Sequence, residues 1–131
     1  MIYRRLLNSK LPTSHKFWFG VNANKITIGV PKEVFENEKR VSITPDTIQR
    51  VTKKNGCTFL VESGAGIDAS ITDEAYLSSG AKIVSTKEAF EADVVLKVRM
   101  PQFNPTINQH EVDALKEGST LISFIQPAQN K

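Results

Sequence analysis

Ile26-Thr27-Ile28-Gly29-Val30-Pro31-Lys32-Glu33-Val34-Phe35-Glu36-Asn37-Glu38-Lys39-Arg40-Val41-Ser42-Ile43-Thr44-Pro45 is the stretch on which the fold turns. Its first five residues carry the β-branched, apolar content of a buried strand. Pro31 ends that strand, because proline has no N–H to give to the ladder. A charge-rich loop follows from Lys32 to Arg40, then Val41-Ser42-Ile43, and Thr44-Pro45 opens a helix as N-cap and first helical residue. A strand that delivers a charged loop at its carboxyl end is where open α/β sheets hold ligands. Arg40, the last cation of the loop and next to apolar Val41, is therefore a candidate anion anchor.

Working outward, the helix from Pro45 has Ile48 and Val51 on one face and closes on Lys53, Lys54 and Gly56, which suit the negative end of its dipole and a left-handed cap. A second strand is expected over Cys57–Val61 and a helix capped by Thr72 over Asp73–Ser79. A third strand follows at Lys82–Val84, then a helix from Ser85 or Thr86 through Ala92. Asp93–Val98 is the clearest buried strand. Pro101 and Pro105 hold open the next loop, a helix is expected from about Asn108 to Lys116, and Thr120–Ile125 is the last strand. The alternation implies an α/β fold: a mostly parallel sheet of about five strands flanked by short helices, with right-handed crossovers.

The 131 residues fit one domain, and 40% apolar with 24% charged residues is the composition of an ordinary globular protein. The formal net charge of +3 is misleading. Five of the seventeen cations (Arg4, Arg5, Lys10, Lys16 and Lys25) and none of the fourteen acids lie in residues 1–25. The remainder is slightly acidic, which offers no case for nucleic acid binding. Residues 1–25 are basic, hydroxyl-bearing and acid-free, with Ile2, Tyr3, Leu6 and Leu7 able to share one helical face. That is the pattern of an amphipathic mitochondrial transit peptide, with a disordered cytosolic extension as the alternative; on either reading the expected fold starts at about residue 26. The single Cys57 has no internal disulfide partner and reads as a small buried hydrophobe.

Gly64-Ala65-Gly66-Ile67-Asp68-Ala69 fits the dinucleotide fingerprint G-x-G-x-x-A. The mechanism needs the second glycine to open a helix whose amides face a pyrophosphate, and here the expected cap, Thr72, comes six residues too late. The motif is expected to be a loop. Lys97, near the carboxyl end of the strongest strand and followed by Val98-Arg99, could meet Arg40 on one rim and suit a carboxylate or phosphate; an edge or snorkelling lysine is the alternative. His110 is expected at the surface. No Cys/His cluster has the spacing of metal ligands, and no metal is expected.

Gly29-Val30-Pro31-Lys32-Glu33, Asn37-Glu38-Lys39-Arg40-Val41, Thr44-Pro45, Val61-Glu62-Ser63-Gly64-Ala65-Gly66, Leu96-Lys97-Val98 and Ser123-Phe124-Ile125-Gln126-Pro127-Ala128-Gln129-Asn130 stand in order. Together they resemble the N-terminal domain shared by alanine dehydrogenase and nicotinamide nucleotide transhydrogenase, over about residues 26–131. The closing Phe124-to-Asn130 segment looks like the proton-translocating transhydrogenase branch, and the insert Asn104-Pro105-Thr106 with His110-Glu111, together with the basic leader, looks like its animal mitochondrial form. Alanine dehydrogenases carry a substrate-contacting histidine where this chain has Gln126.

The resemblance implies the first part of one of two α/β domains that enclose a nucleotide cleft. It implies NAD(H) and NADP(H) as cofactors of the complete enzyme, hydride transfer coupled to proton movement, a membrane domain as partner and a dimer of complete subunits. It implies no catalytic residue in this stretch. Arg40, Lys97 and Gln126 carry over as cofactor or substrate cleft residues. The other readings are a piece of an alanine- or saccharopine-type dehydrogenase, and a truncated remnant without catalysis.

Overall fold

The computed structural model describes residues 26–126. The expected leader, residues 1–25, lies outside them. In chain order the elements are β1 (Thr27–Val30), α1 (Pro45–Asn55), β2 (Thr58–Glu62), a 3-10 turn (Ile67–Ala69), α2 (Asp73–Ser78), β3 (Lys82–Val84), α3 (Thr86–Phe90), β4 (Val94–Arg99), β5 (Phe103–Asn104), β6 (Gln109–His110) and β7 (Thr120–Phe124). Five strands form one sheet in the order β3-β2-β1-β4-β7, every pairing parallel, while β5 and β6 make a separate antiparallel pair. This is the α/β, Rossmann-like sheet expected from the residues.

The chain winds outward from β1 to β3, then returns to place β4 on the other side of β1. Strand order therefore reverses between β1 and β4, and the loops leaving their carboxyl ends diverge there. Such a switch point leaves a crevice beyond the strand ends in a doubly wound sheet.

The two faces of β2 divide the core. Phe59 and Val61 pack with Val30, Ile48 of α1 and Tyr76 of α2. Leu60, which points the other way, packs with Val95 and with Phe90 of α3. Tyr76 is fully buried, and its hydroxyl donates to the Ile43 carbonyl at 2.9 Å. Burial and the charge of Asp73 push the Tyr76 phenol up to about 12. The helix ends follow their local chemistry: Gly56 takes the left-handed cap of α1 at φ 69°, and Ser85 with Glu88 forms a capping box on α3.

The region after β4 differs from expectation. In place of a helix from Asn108 to Lys116 there is the β5–β6 pair followed by turns. Asn108 has φ 51°, which a helix does not accept, and the bonds after it are of the i to i+3 kind, such as Asp113 N–H to the His110 carbonyl at 2.9 Å. Glu111 is fully buried and bound to Lys97 and Asn104, so a long-range contact overrides a weak helical pattern. His110 is exposed, on β6.

Asp93 ties the amino ends of the central strands. Its carboxylate accepts the Thr27 N–H and hydroxyl, both at 2.9 Å, and the Lys116 ammonium at 2.8 Å. The Lys116 bond first, then those from Thr27, bring its pKa down to about 2 from 3.8. A depressed folded value means a contribution present above the unfolded pKa and lost as pH falls through the folded one. Thermal unfolding should therefore show Asp93→Asn well below wild type at pH 6, with the gap closing as pH falls from 4 to 2. An unchanged gap at pH 2 would contradict this linkage.

Candidate functional site

The loop leaving β1 turns back on itself at Asn37, which has φ 63°, with Glu38 N–H bonded to the Phe35 carbonyl at 3.1 Å. Asparagine tolerates that left-handed conformation better than most residues. The turn points the Glu38 side chain inward, where it is 4% exposed. Its carboxylate gathers two guanidinium groups. Arg40 donates from Nε and Nη2, both at 2.7 Å, and from its backbone N–H at 3.0 Å. Arg99, at the end of β4, donates from Nε at 2.7 Å. Arg40 first, against the opposing effect of burial, holds the Glu38 carboxyl far below the usual carboxylate range.

Two further contacts fix Arg99. Its guanidinium lies over the Phe35 ring, 4.7 Å from the centroid, and its Nη1 donates to Gln126 Oε1 at 3.3 Å. Arg40, Val98, Arg99, Phe124, Ile125 and Gln126 line a cavity of about 310 Å³ beyond the carboxyl ends of β1, β4 and β7. Phe124 and Ile125 are 72% and 62% exposed, so the cavity has an apolar wall beside its cationic one. Two arginines share one glutamate at its edge. Forked, delocalised guanidinium groups suit carboxylate or phosphate.

Of the residues named from sequence, Arg40 and Gln126 come together in this cavity. Lys97 lies apart from it. Its side chain is 1% exposed, and the ammonium sits between Glu33, at 3.2 Å, and Glu111, at 3.1 Å. Arg40 and Lys97 therefore do not present two cations on one rim; Arg99 takes the place beside Arg40. Glu33 nevertheless lies near both, since its charge adds to the larger effect of Glu38 in raising the Arg40 pKa.

The parity of the strand explains why spacing favoured Lys97. In a regular strand, residues 97 and 99 share a face. Here Leu96 stands opposite Ile122 and Arg99 opposite Phe124, so β4 holds one extra residue between those pairs. That bulge separates the directions of the two side chains. The available signal for Arg99 was only a second cation two residues after the first.

The glycine motif is a closed loop, as its late helix cap implied. Gly64 has φ 76°, the 3-10 turn follows at once, and α2 begins only at Asp73. The Asp73 carboxylate accepts the Gly64 N–H at 2.9 Å and the Ser63 hydroxyl at 2.8 Å. An internal anion thus takes the donor that a phosphate would need.

Residues 29–131 match the family described as Alanine dehydrogenase/PNT, N-terminal domain. The chain is 43% identical over 103 residues to NAD(P) transhydrogenase subunit alpha of Haemophilus influenzae, covering 79% of this chain and 19% of that one. It is 39% identical over 103 residues to alanine dehydrogenase of Methanococcus maripaludis, covering 77% and 26%. Among solved structures, the transhydrogenase from Sinorhizobium meliloti superposes with a TM-score of 0.69 at 31% identity, over 79% of this chain and 29% of that one. The chain spans roughly a fifth to a quarter of the length of these curated relatives. With the parallel sheet, its switch-point cavity and a family match over most of its length, the chain belongs to the alanine dehydrogenase/PNT N-terminal domain family.

Proposed function

We propose that this chain is the first part of a proton-translocating NAD(P) transhydrogenase and forms one wall of its nicotinamide nucleotide cleft. The observation that carries this is the Arg40–Glu38–Arg99 cluster at the switch point, with Gln126 and the apolar Phe124 and Ile125 beside it. Guanidinium donors meet an anionic or amide group, and Phe124 with Ile125 offer contact to a flat ring. When bound, the nicotinamide supplies the hydride chemistry. The described residues that line the cavity bind and orient the cofactor. A second wall has to come from the remaining length that the relatives have, so this chain alone is not expected to turn over NADH and an NADP analogue.

The same reading makes residues 1–25 a mitochondrial targeting segment, places the complete protein at the matrix side of the inner membrane, and gives it a membrane domain and a second subunit as partners. An alanine-type dehydrogenase is the second reading, favoured by the suitability of Arg40 with Arg99 for a small carboxylate and disfavoured by Gln126.

Calorimetric titration with NADH, NADPH and pyruvate separates the two. One wall of a cleft should bind NADH weakly, about 4 kcal/mol or a millimolar Kd, and pyruvate not at all. Saturable pyruvate binding without NADH binding would favour the dehydrogenase. No heat with any of the three would favour a remnant.

A further inference from the structure

Lys97 takes no part in the cavity wall, yet its side chain is 1% exposed and its ammonium lies between the carboxylates of Glu33 and Glu111, whose side chains are 3% and 0% exposed. Burying three ionised groups costs several kcal/mol unless each is fully bonded, so their other partners are informative. Glu111 also accepts the Gln102 N–H and the Asn104 side-chain amide, both at 3.2 Å, which anchors the loop after β4. Glu33 reaches the strand itself. It accepts the Val98 N–H at 2.6 Å and the Arg99 N–H at 3.3 Å.

These two N–H groups belong to the bulged part of β4, where an extra residue disturbs the ladder with β7. A bulge leaves backbone donors in need of other partners and re-aims the next side chain. Glu33 supplies the acceptors, and Lys97, inside the bulge, holds Glu33 in place. The side chain re-aimed is Arg99.

We propose that Lys97, acting through Glu33, is a positioning residue that stabilises the β4 bulge and thereby directs the Arg99 guanidinium into the switch-point cavity. Glu111 is the counter-anchor on the other side of the ammonium. The ligand consequence rests on the cleft reading above; the positioning itself does not.

Nitrogen-15 spectra of the full 131-residue chain test both parts separately. The Arg99 Nε–H, bonded to Glu38, is assigned with Arg99→Lys, and its exchange with solvent is measured. In Lys97→Met that exchange should speed up at least ~5-fold, while the Arg40 Nε–H, on the same carboxylate, stays within ~2-fold. NADH affinity should fall about tenfold. Glu111→Gln leaves the Lys97–Glu33 contact in place and should preserve the Arg99 signal. If Lys97→Met loses its near-ultraviolet circular dichroism, Glu33→Gln carries the test with the same expectation.

A folded Lys97→Met or Glu33→Gln chain with an unchanged Arg99 signal would overturn the proposal. So would a Val98 amide proton in the wild-type chain that exchanges as fast as an exposed loop amide. An Arg99 signal that depends on Lys97 in a chain that binds no NADH would uphold the positioning and remove the cleft reading.

Discussion

Replacing Gly29 by alanine should destabilise the chain by roughly 3 kcal/mol or more, a large share of the ~5–15 kcal/mol that holds a domain together. The cause is contact, since the added methyl would overlap the Ala89 carbonyl oxygen and lie 2.9 Å from the Ala89 carbonyl carbon and 3.0 Å from the Ala92 Cβ. The neighbours have little freedom to give way. Gly29 is paired with Leu60 on one side and Val95 on the other, in the central strand of the sheet. Ala89 and Ala92 are themselves buried, with Phe90 between them against Val95. Relief therefore requires α3 to lift from the sheet and uncover Phe90, whose burial alone contributes about 2–3 kcal/mol. Urea unfolding followed by circular dichroism measures the loss. A change below about 1 kcal/mol would mean that α3 does not press on the strand as described.

Arg99→Ala should weaken NADH binding by roughly 30-fold or more, so that a millimolar Kd passes beyond what a titration detects. Arg40→Ala should cost less, roughly tenfold, because its side chain is 63% exposed against 27% for Arg99, and solvent screens it more. Either variant leaves Glu38 with one guanidinium, so the fold should survive both. Arg99→Lys keeps the charge but loses the fork that bonds Glu38 and Gln126, and it should recover only part of the affinity. Titrations at two salt concentrations read these differences. Equal losses for Arg40→Ala and Arg99→Ala, or none for the latter, would show that the cavity is not organised around Arg99. The Glu38 carboxyl, held low chiefly by Arg40, contributes stability above its unfolded pKa that disappears in strong acid, so the comparison belongs near pH 7.

The residues made much of the architecture legible before any coordinates. The β-branched run ending at Pro31, the Thr44-Pro45 start and Gly56 stop of α1, and the apolar Val94-Val95-Leu96 run all report local preferences that tertiary packing then reinforces. Arg40 was read from the charged loop that follows β1, and Gln126 only from the family resemblance; both line the cavity beyond the strand ends. Glu38 was visible only as one charge among several. Nothing local says that an acid at the end of a polar turn folds inward and organises two arginines.

The Asn108-to-Lys116 segment and the pair Lys97 and Arg99 show where local pattern stops. Glu111 lies fourteen positions from Lys97, and their contact draws the segment into a hairpin and turns that its own polarity does not specify. By itself the order of residues determined most of the elements, the parallel sheet and the end of it that gathers the charged loop after β1, because propensity, caps and apolar period act over a few neighbours. Only the tertiary structure decided which cation reaches that end. A single extra residue in β4 reverses strand parity, and it is held by a glutamate sixty-five positions away that bonds the Val98 N–H.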